Sequence, residues 1–129
     1  MGPMRGRSKT QWWGVCLEAP DPHALAGFYS ALLGWPVSVT DPHGAAIQVP
    51  GTSSYMSFQE AADYVPPVWP AADGRQQIMM HLDIAVEDLA PAVADALELG
   101  ATLAGFQPQD DVRVLLDPAG HPFCLYLDK

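Results

Sequence analysis

Basic residues are scarce in this chain. Six Lys and Arg stand against fifteen Asp and Glu in 129 residues, a formal net charge of −9. Three of the six (Arg5, Arg7 and Lys9) fall in the first nine residues, leaving Arg75, Arg113 and Lys129 for the rest. A nucleic-acid backbone needs several positioned cations, so nucleic acid is not expected as a partner. Cysteine is scarcer still. Cys16 and Cys124 are too few for a disulfide framework, and free thiols in a cytoplasmic setting are expected. No apolar run approaches the ~18 residues of a membrane span, so no membrane partner is expected. Residues 1–11 are basic and polar, lack the apolar stretch of a secretory signal and read as a flexible tail.

What the chain does have is a repeat. Val15-Cys16-Leu17-Glu18-Ala19-Pro20-Asp21 and Leu82-Asp83-Ile84-Ala85-Val86-Glu87-Asp88 each alternate apolar and other residues, then run into an aspartate and a helical pattern. The helical patterns stop at Leu33-Gly34 and Leu99-Gly100. Asp21 and Asp88 lie 67 positions apart, as do Gly14 and His81. Hydrophobic residues make up 49% of the chain, enough for one shared core over residues 12–129 but not for two independent domains.

Each copy reads as strand, helix and three strands. Asp21 is a helix N-cap with Pro22 at the first helical position, and Leu25, Phe28, Tyr29, Leu32 and Leu33 make one apolar stripe. Asp88 caps a second helix with Leu89, Val93, Ala96 and Leu97 inward. Strands are predicted over 12–18, 35–40, 45–49, 55–59, 78–86, 102–106, 112–116 and 123–127. Asp41-Pro42-His43-Gly44 and Asp117-Pro118-Ala119-Gly120 read as turns. Module one spans about 12–60, a Pro-rich linker 61–76, and module two about 77–129. The fold class is α+β, from tandem βαβββ modules.

Side chains alternate along a strand, so the faces can be assigned. Val15, Leu17, Leu82, Ile84, Val86, Phe123, Leu125 and Leu127 go under the helices. Gly14, Cys16, Glu18, Ser57, Gln59, Met79, His81, Asp83, Ala85, Cys124 and Tyr126 take the free faces. Polar and reactive groups there suggest a cleft that binds a small molecule.

The elements Ala19-Pro20-Asp21, Phe28-Tyr29, Leu32-Leu33-Gly34-Trp35, His81-Leu82-Asp83, Leu99-Gly100-Ala101 and Asp117-Pro118-Ala119-Gly120-His121-Pro122-Phe123 resemble the vicinal-oxygen-chelate superfamily. That superfamily holds the glyoxalases, bleomycin-resistance-type proteins and extradiol dioxygenases, and the tail is similar to its glyoxalase-like subgroup. The resemblance implies a curved mixed sheet shaped as a cup, helices on its outer face, and a homodimer. It also implies a divalent metal held by one ligand from the first and one from the fourth strand of each module. Carried over, those places are Gly14, Gln59 (Glu60 if the register slips by one), His81 and Cys124. Glycine offers no donor and glutamine a poor one, so no metal or other cofactor is expected. If Gly14 marks a lost ligand, Gly14→His should raise zinc or nickel affinity.

The candidate ligand-binding residues are Gln59, Trp69, Met79, His81, Asp83, Cys124 and Tyr126, with His81 as the candidate catalytic residue. His81 is a metal ligand, a general base, for which a histidine's ordinary pKa of ~6.5 is suited, or a cavity histidine that hydrogen-bonds Asp83 or a backbone group. Cys124 is a ligand, a nucleophile or a small buried hydrophobe. Asp83 and Glu18 share equivalent free faces. Trp69 is a lid over a flat ligand or the residue that docks the linker. Arg113 pairs with a substrate anion or with Asp110 or Asp111. His23, His43 and His121 are expected at the surface. Two functions follow from the resemblance. One is metal-free binding of an aromatic or apolar molecule, as in bleomycin-resistance-type sequestration. The other is a lyase, isomerase or dioxygenase-like enzyme that uses His81.

Overall fold

The computed structural model describes residues 2–128. The chain divides into two compact units, one up to Glu60 and one from Ala61. The expected linker 61–76 therefore belongs to the second unit.

In the first unit, β1 (Trp13–Ala19) leads into α1 (Pro22–Leu33), then β2 (Val37–Asp41), β3 (Gly44–Gln48) and β4 (Ser54–Glu60). The helix begins where the sequence places it, because the Asp21 carboxylate accepts from the Ala24 N–H at 3.1 Å. It ends at Gly34, whose left-handed φ of 72° lets its N–H reach the Ser30 carbonyl. The strand order is β1-β4-β3-β2, with β1 parallel to β4 and the other pairs antiparallel. Leu25, Tyr29, Ile47 and Phe58 are buried, and the Tyr29 and Phe58 rings stack at 5.9 Å. That core fixes which face of the sheet the helix covers.

The second unit repeats the plan with β5 (Leu82–Val86), α2 (Leu89–Leu99), β6 (Thr102–Leu103), β7 (Val112–Leu116) and β8 (Pro122–Leu127). Its order is β5-β8-β7-β6, again with one parallel pair. Ala96, Leu115, Phe123 and Leu125 form its buried centre. The architecture is α+β: two mixed four-stranded sheets, each with one helix.

Three expectations are corrected. First, β5 starts at Leu82 instead of residue 78, so Met79 and His81 precede the strand. Leu82 pairs with Phe123, and the next partner would be Pro122, which has no N–H to offer a ladder. Second, β6 stops at Leu103 instead of reaching residue 106. The Gln107 side chain takes over: its amide donates to the Ala104 and Val114 carbonyls and its oxygen accepts from the Val114 N–H, at 2.8–2.9 Å. A side chain does there what a strand backbone would otherwise do. Third, Leu97 is 41% exposed. The inward stripe is Leu89, Ala92, Val93 and Ala96, and Leu97 lies one step past its edge.

Candidate functional site

On the free face of the second unit, Asp83 of β5 lies directly opposite Cys124 of β8, and Ala85 opposite Tyr126. His81 reaches forward along the chain, and its Nε2 stands 3.2 Å from an Asp83 carboxylate oxygen. Potential donor atoms of His81, Asp83 and Cys124 all lie within 4.8 Å of one another. The His81 and Asp83 side chains are 49% and 58% exposed, while Cys124 is half-buried. Burial pushes the Cys124 thiol up, and the Asp83 charge and its hydrogen bond with the thiol push the same way. Cys124 is therefore a protonated thiol at neutral pH rather than a ready nucleophile. Replacing Asp83 by asparagine removes that charge and should speed Cys124 alkylation by iodoacetamide severalfold near neutral pH. Peptide mass mapping can follow this, with exposed Cys16 as the internal reference. An unchanged rate would mean that Asp83 does not govern the thiol.

The first unit is poorer in donors. Its parallel register sets Gly14 against Tyr55, Cys16 against Ser57 and Glu18 against Gln59. Asp83 and Cys124 lie 67 positions beyond Cys16 and Ser57, so Ser57 is the counterpart of Cys124, two residues short of Gln59. The Ser57 hydroxyl points at the Val15 carbonyl at 3.5 Å, and Gln59 donates to Glu18 at 3.4 Å. Gly14 has a steric role. A Cβ there would sit 2.5 Å from the Tyr55 carbonyl oxygen. The places that the superfamily gives to metal ligands thus offer, in this unit, a residue that cannot carry a side chain and two neutral groups. Those donors do not fit the four-ligand metal of the superfamily. Among the described residues, only His81, Asp83 and Cys124, all in one unit, are grouped so as to hold an ion.

Trp69 is spent on packing: its indole N–H donates to the Phe106 carbonyl at 2.9 Å and the two rings lie 6.0 Å apart. This is the docking alternative for the segment 61–76. Met79 is 81% exposed. The Arg113 guanidinium donates to the Gln109, Asp110 and Val112 carbonyls.

One cluster escaped the sequence. His121 was expected at the surface, but its side chain is only 15% exposed and donates from Nδ1 to both oxygens of Asp117, at 3.0 and 2.9 Å. Asp117 is buried and also accepts from the Ala119 and His121 N–H groups. The Tyr64 ring lies 5.3 Å from the His121 ring. Burial, then the Asp117 charge, pushes the Tyr64 phenol up to about 12. The aspartate that opens a turn four residues before a histidine was the available signal, but Tyr64 lies 57 positions away. A folded-state pKa above the ordinary ~10 gives a contribution that is complete below pH ~10 and is lost as pH rises through about 12. Tyr64→Phe should therefore flatten the alkaline fall of melting temperature between those limits. A wild-type slope in the variant would remove Tyr64 from that account.

A chain of two βαβββ units, each with one parallel strand pair and a helix on one sheet face, has the architecture of glyoxalase and bleomycin-resistance-type proteins. The chain belongs to the glyoxalase-like domain family, whose model matches residues 14–126. The fold is also that of a glyoxalase/bleomycin resistance protein/dioxygenase family enzyme from Burkholderia phytofirmans PsJN, at 21% identity and a TM-score of 0.65 over 88% of this chain and 95% of that one. A glyoxalase-related enzyme from Fulvimarina pelagi matches at 20% identity and a TM-score of 0.64, over 92% of this chain and 88% of that one. A glyoxalase/bleomycin resistance protein from Albidiferax ferrireducens T118 matches at 19% identity and 0.60, over 90% and 97%. A comparison with curated proteins finds no match. No helix among the described residues is long and apolar enough to cross a membrane.

Proposed function

We propose that this protein binds a small, flat, largely apolar molecule on the free face of β5 and β8, without a resident catalytic metal. The observation that carries this is the pairing on that face. Ala85 beside Tyr126 makes a shelf with one aromatic wall. His81, Asp83 and Cys124 stand at one end of it, where they can take the polar edge of a ligand. The donor set of the first unit argues against the superfamily's metal. Binding without turnover is what sequestration requires, and the relative from Albidiferax ferrireducens is named a bleomycin resistance protein. A cytoplasmic homodimer completes the proposal, and sedimentation equilibrium tests its assembly.

The test is a titration of flat aromatic compounds followed by intrinsic fluorescence, with metal content per chain measured on protein purified without chelator. Saturable binding, weakened at least severalfold by Tyr126→Ala, and a metal content near zero are expected. No saturable binding across the panel would sink the proposal.

A second function is favoured by one contact, the 3.2 Å approach of His81 to Asp83, which orients an imidazole as a base or ligand. Two of the structural relatives are named enzymes. A metal content near one equivalent, or a turnover lost in His81→Ala with ligand affinity kept, would put the enzyme first.

A further inference from the structure

A second site lies in the first unit. A cavity of about 320 Å³ is lined by Arg7, Lys9, Thr10, Gln11, Trp13, Ser53 and Ser54. None of these residues is acidic. The first seventeen residues carry three cations and no carboxylate, and no Asp or Glu occurs between Asp41 and Glu60. The chain as a whole has a net charge of −9, yet both segments that build this cavity are free of acid. The lining itself therefore carries two positive charges and no negative one.

The cavity is built rather than left by a loose tail. The Gln11 N–H donates to the Ser8 carbonyl at 3.0 Å, and an Arg7 Nη donates to the Gln11 carbonyl at 3.2 Å. The Trp13 N–H donates to the Ser53 carbonyl at 3.1 Å and ties the segment to the start of β4. Gln11 holds a φ of 59°, a left-handed conformation that a side-chain-bearing residue adopts only when its surroundings impose it. One Arg7 N–H is used in that turn, which leaves the rest of a five-donor fork free for an oxyanion. Ser53 and Ser54 are half-buried in the lining, and their hydroxyls have no hydrogen-bond partner among the described residues. The Trp13 side of the cavity is a flat apolar wall, 58% exposed.

We infer that this cavity is an oxyanion site for a phosphate monoester carried on a flat ring. Arg7 and Lys9 supply charge, Ser53 and Ser54 donate hydroxyl hydrogen bonds, and the Trp13 indole stacks on the ring. Two lining cations are too few to track a nucleic-acid backbone, so the ligand is a small molecule.

Calorimetric titration with phenyl phosphate, inorganic phosphate and phenol tests this at low salt. Phenyl phosphate should bind saturably and more tightly than inorganic phosphate, and phenol should not displace it. The Arg7→Ala/Lys9→Ala double variant should lose about tenfold in affinity, Ser54→Ala a few-fold, and added salt should weaken binding. Arg5→Ala, outside the lining, should bind as wild type. An unchanged affinity in the double variant, an equal loss in Arg5→Ala, or no saturable binding of phenyl phosphate would overturn the inference. Inorganic phosphate binding as tightly as phenyl phosphate would overturn the ring-bearing ligand. Arg5, Arg7 and Lys9 are exposed and Ser54 is the half-buried first residue of β4, and matching melting curves would show that the variants remain folded.

Discussion

Gly14→Ala should destabilise the protein by about 3 kcal/mol or more, at the upper end of what overpacking costs. The added Cβ would stand 2.5 Å from the Tyr55 carbonyl oxygen and 2.6 Å from two carbons of the Tyr55 ring. The ring can swing away, but the carbonyl belongs to β4, which pairs with β1 on one side and β3 on the other. To make room, β1 must part from the centre of the sheet. Thermal melting should fall by roughly 10 °C for a chain of this size. Gly27→Ala is the control. Gly27 sits inside α1 with nothing within 4 Å of a new Cβ, so alanine there should stabilise by about 0.5–1 kcal/mol. The same carbonyl corrects the expectation that Gly14→His restores a zinc or nickel ligand, because histidine brings the same Cβ before it brings an imidazole. A Gly14→Ala variant that melts with wild type would show that β1 and β4 separate at no cost.

That glycine also marks the limit of sequence reading. Elements set by neighbours in the chain were legible: Asp21 with Pro22 and Gly34, and Asp88 with Gly100, bound the two helices as the capping pattern implies. The strand faces were legible too. Gly14, Cys16 and Glu18 are exposed while Val15 and Leu17 are partly buried, and Asp83 and Ala85 alternate with Leu82, Ile84 and Val86, because alternation is a local property. What failed depends on partners distant in sequence. Gln59 was assigned a place that the strand register gives to Ser57, since register is fixed by pairing across more than forty positions. The end of β6 turns on one amide, Gln107, standing in for backbone. Gly14 looked like a missing ligand because nothing in the sequence says that Tyr55 fills the space.

The Asp117 cluster is the second place where distant partners decide the energetics. Asp117→Ala should cost about 3–5 kcal/mol, the range for breaking a buried charged network from one side. The carboxylate accepts from the Ala119 N–H at 2.9 Å, the His121 N–H at 3.0 Å and the His121 imidazole at 2.9–3.0 Å. Alanine removes every one of these acceptors and leaves two backbone donors and an imidazole partly buried. The loss should also spread. The turn is closed by the Asp117 N–H to the His121 carbonyl at 2.9 Å and the Gly120 N–H to the Asp117 carbonyl at 2.8 Å. Tyr64 rests on His121, and Pro66 lies against Gly120, where an added Cβ would come within 3.0 Å of it. Releasing the turn should therefore expose the segment around Tyr64 to proteolysis before the strands melt. Asp117→Asn keeps one carbonyl oxygen for the backbone donors but turns an amide N–H₂ or a neutral oxygen toward the imidazole, so it should lose about half as much. Urea unfolding of wild type, Asp117→Asn and Asp117→Ala should rank in that order. An alanine variant no worse than a surface substitution, within about 0.5 kcal/mol of wild type, would mean that this cluster does not hold the turn.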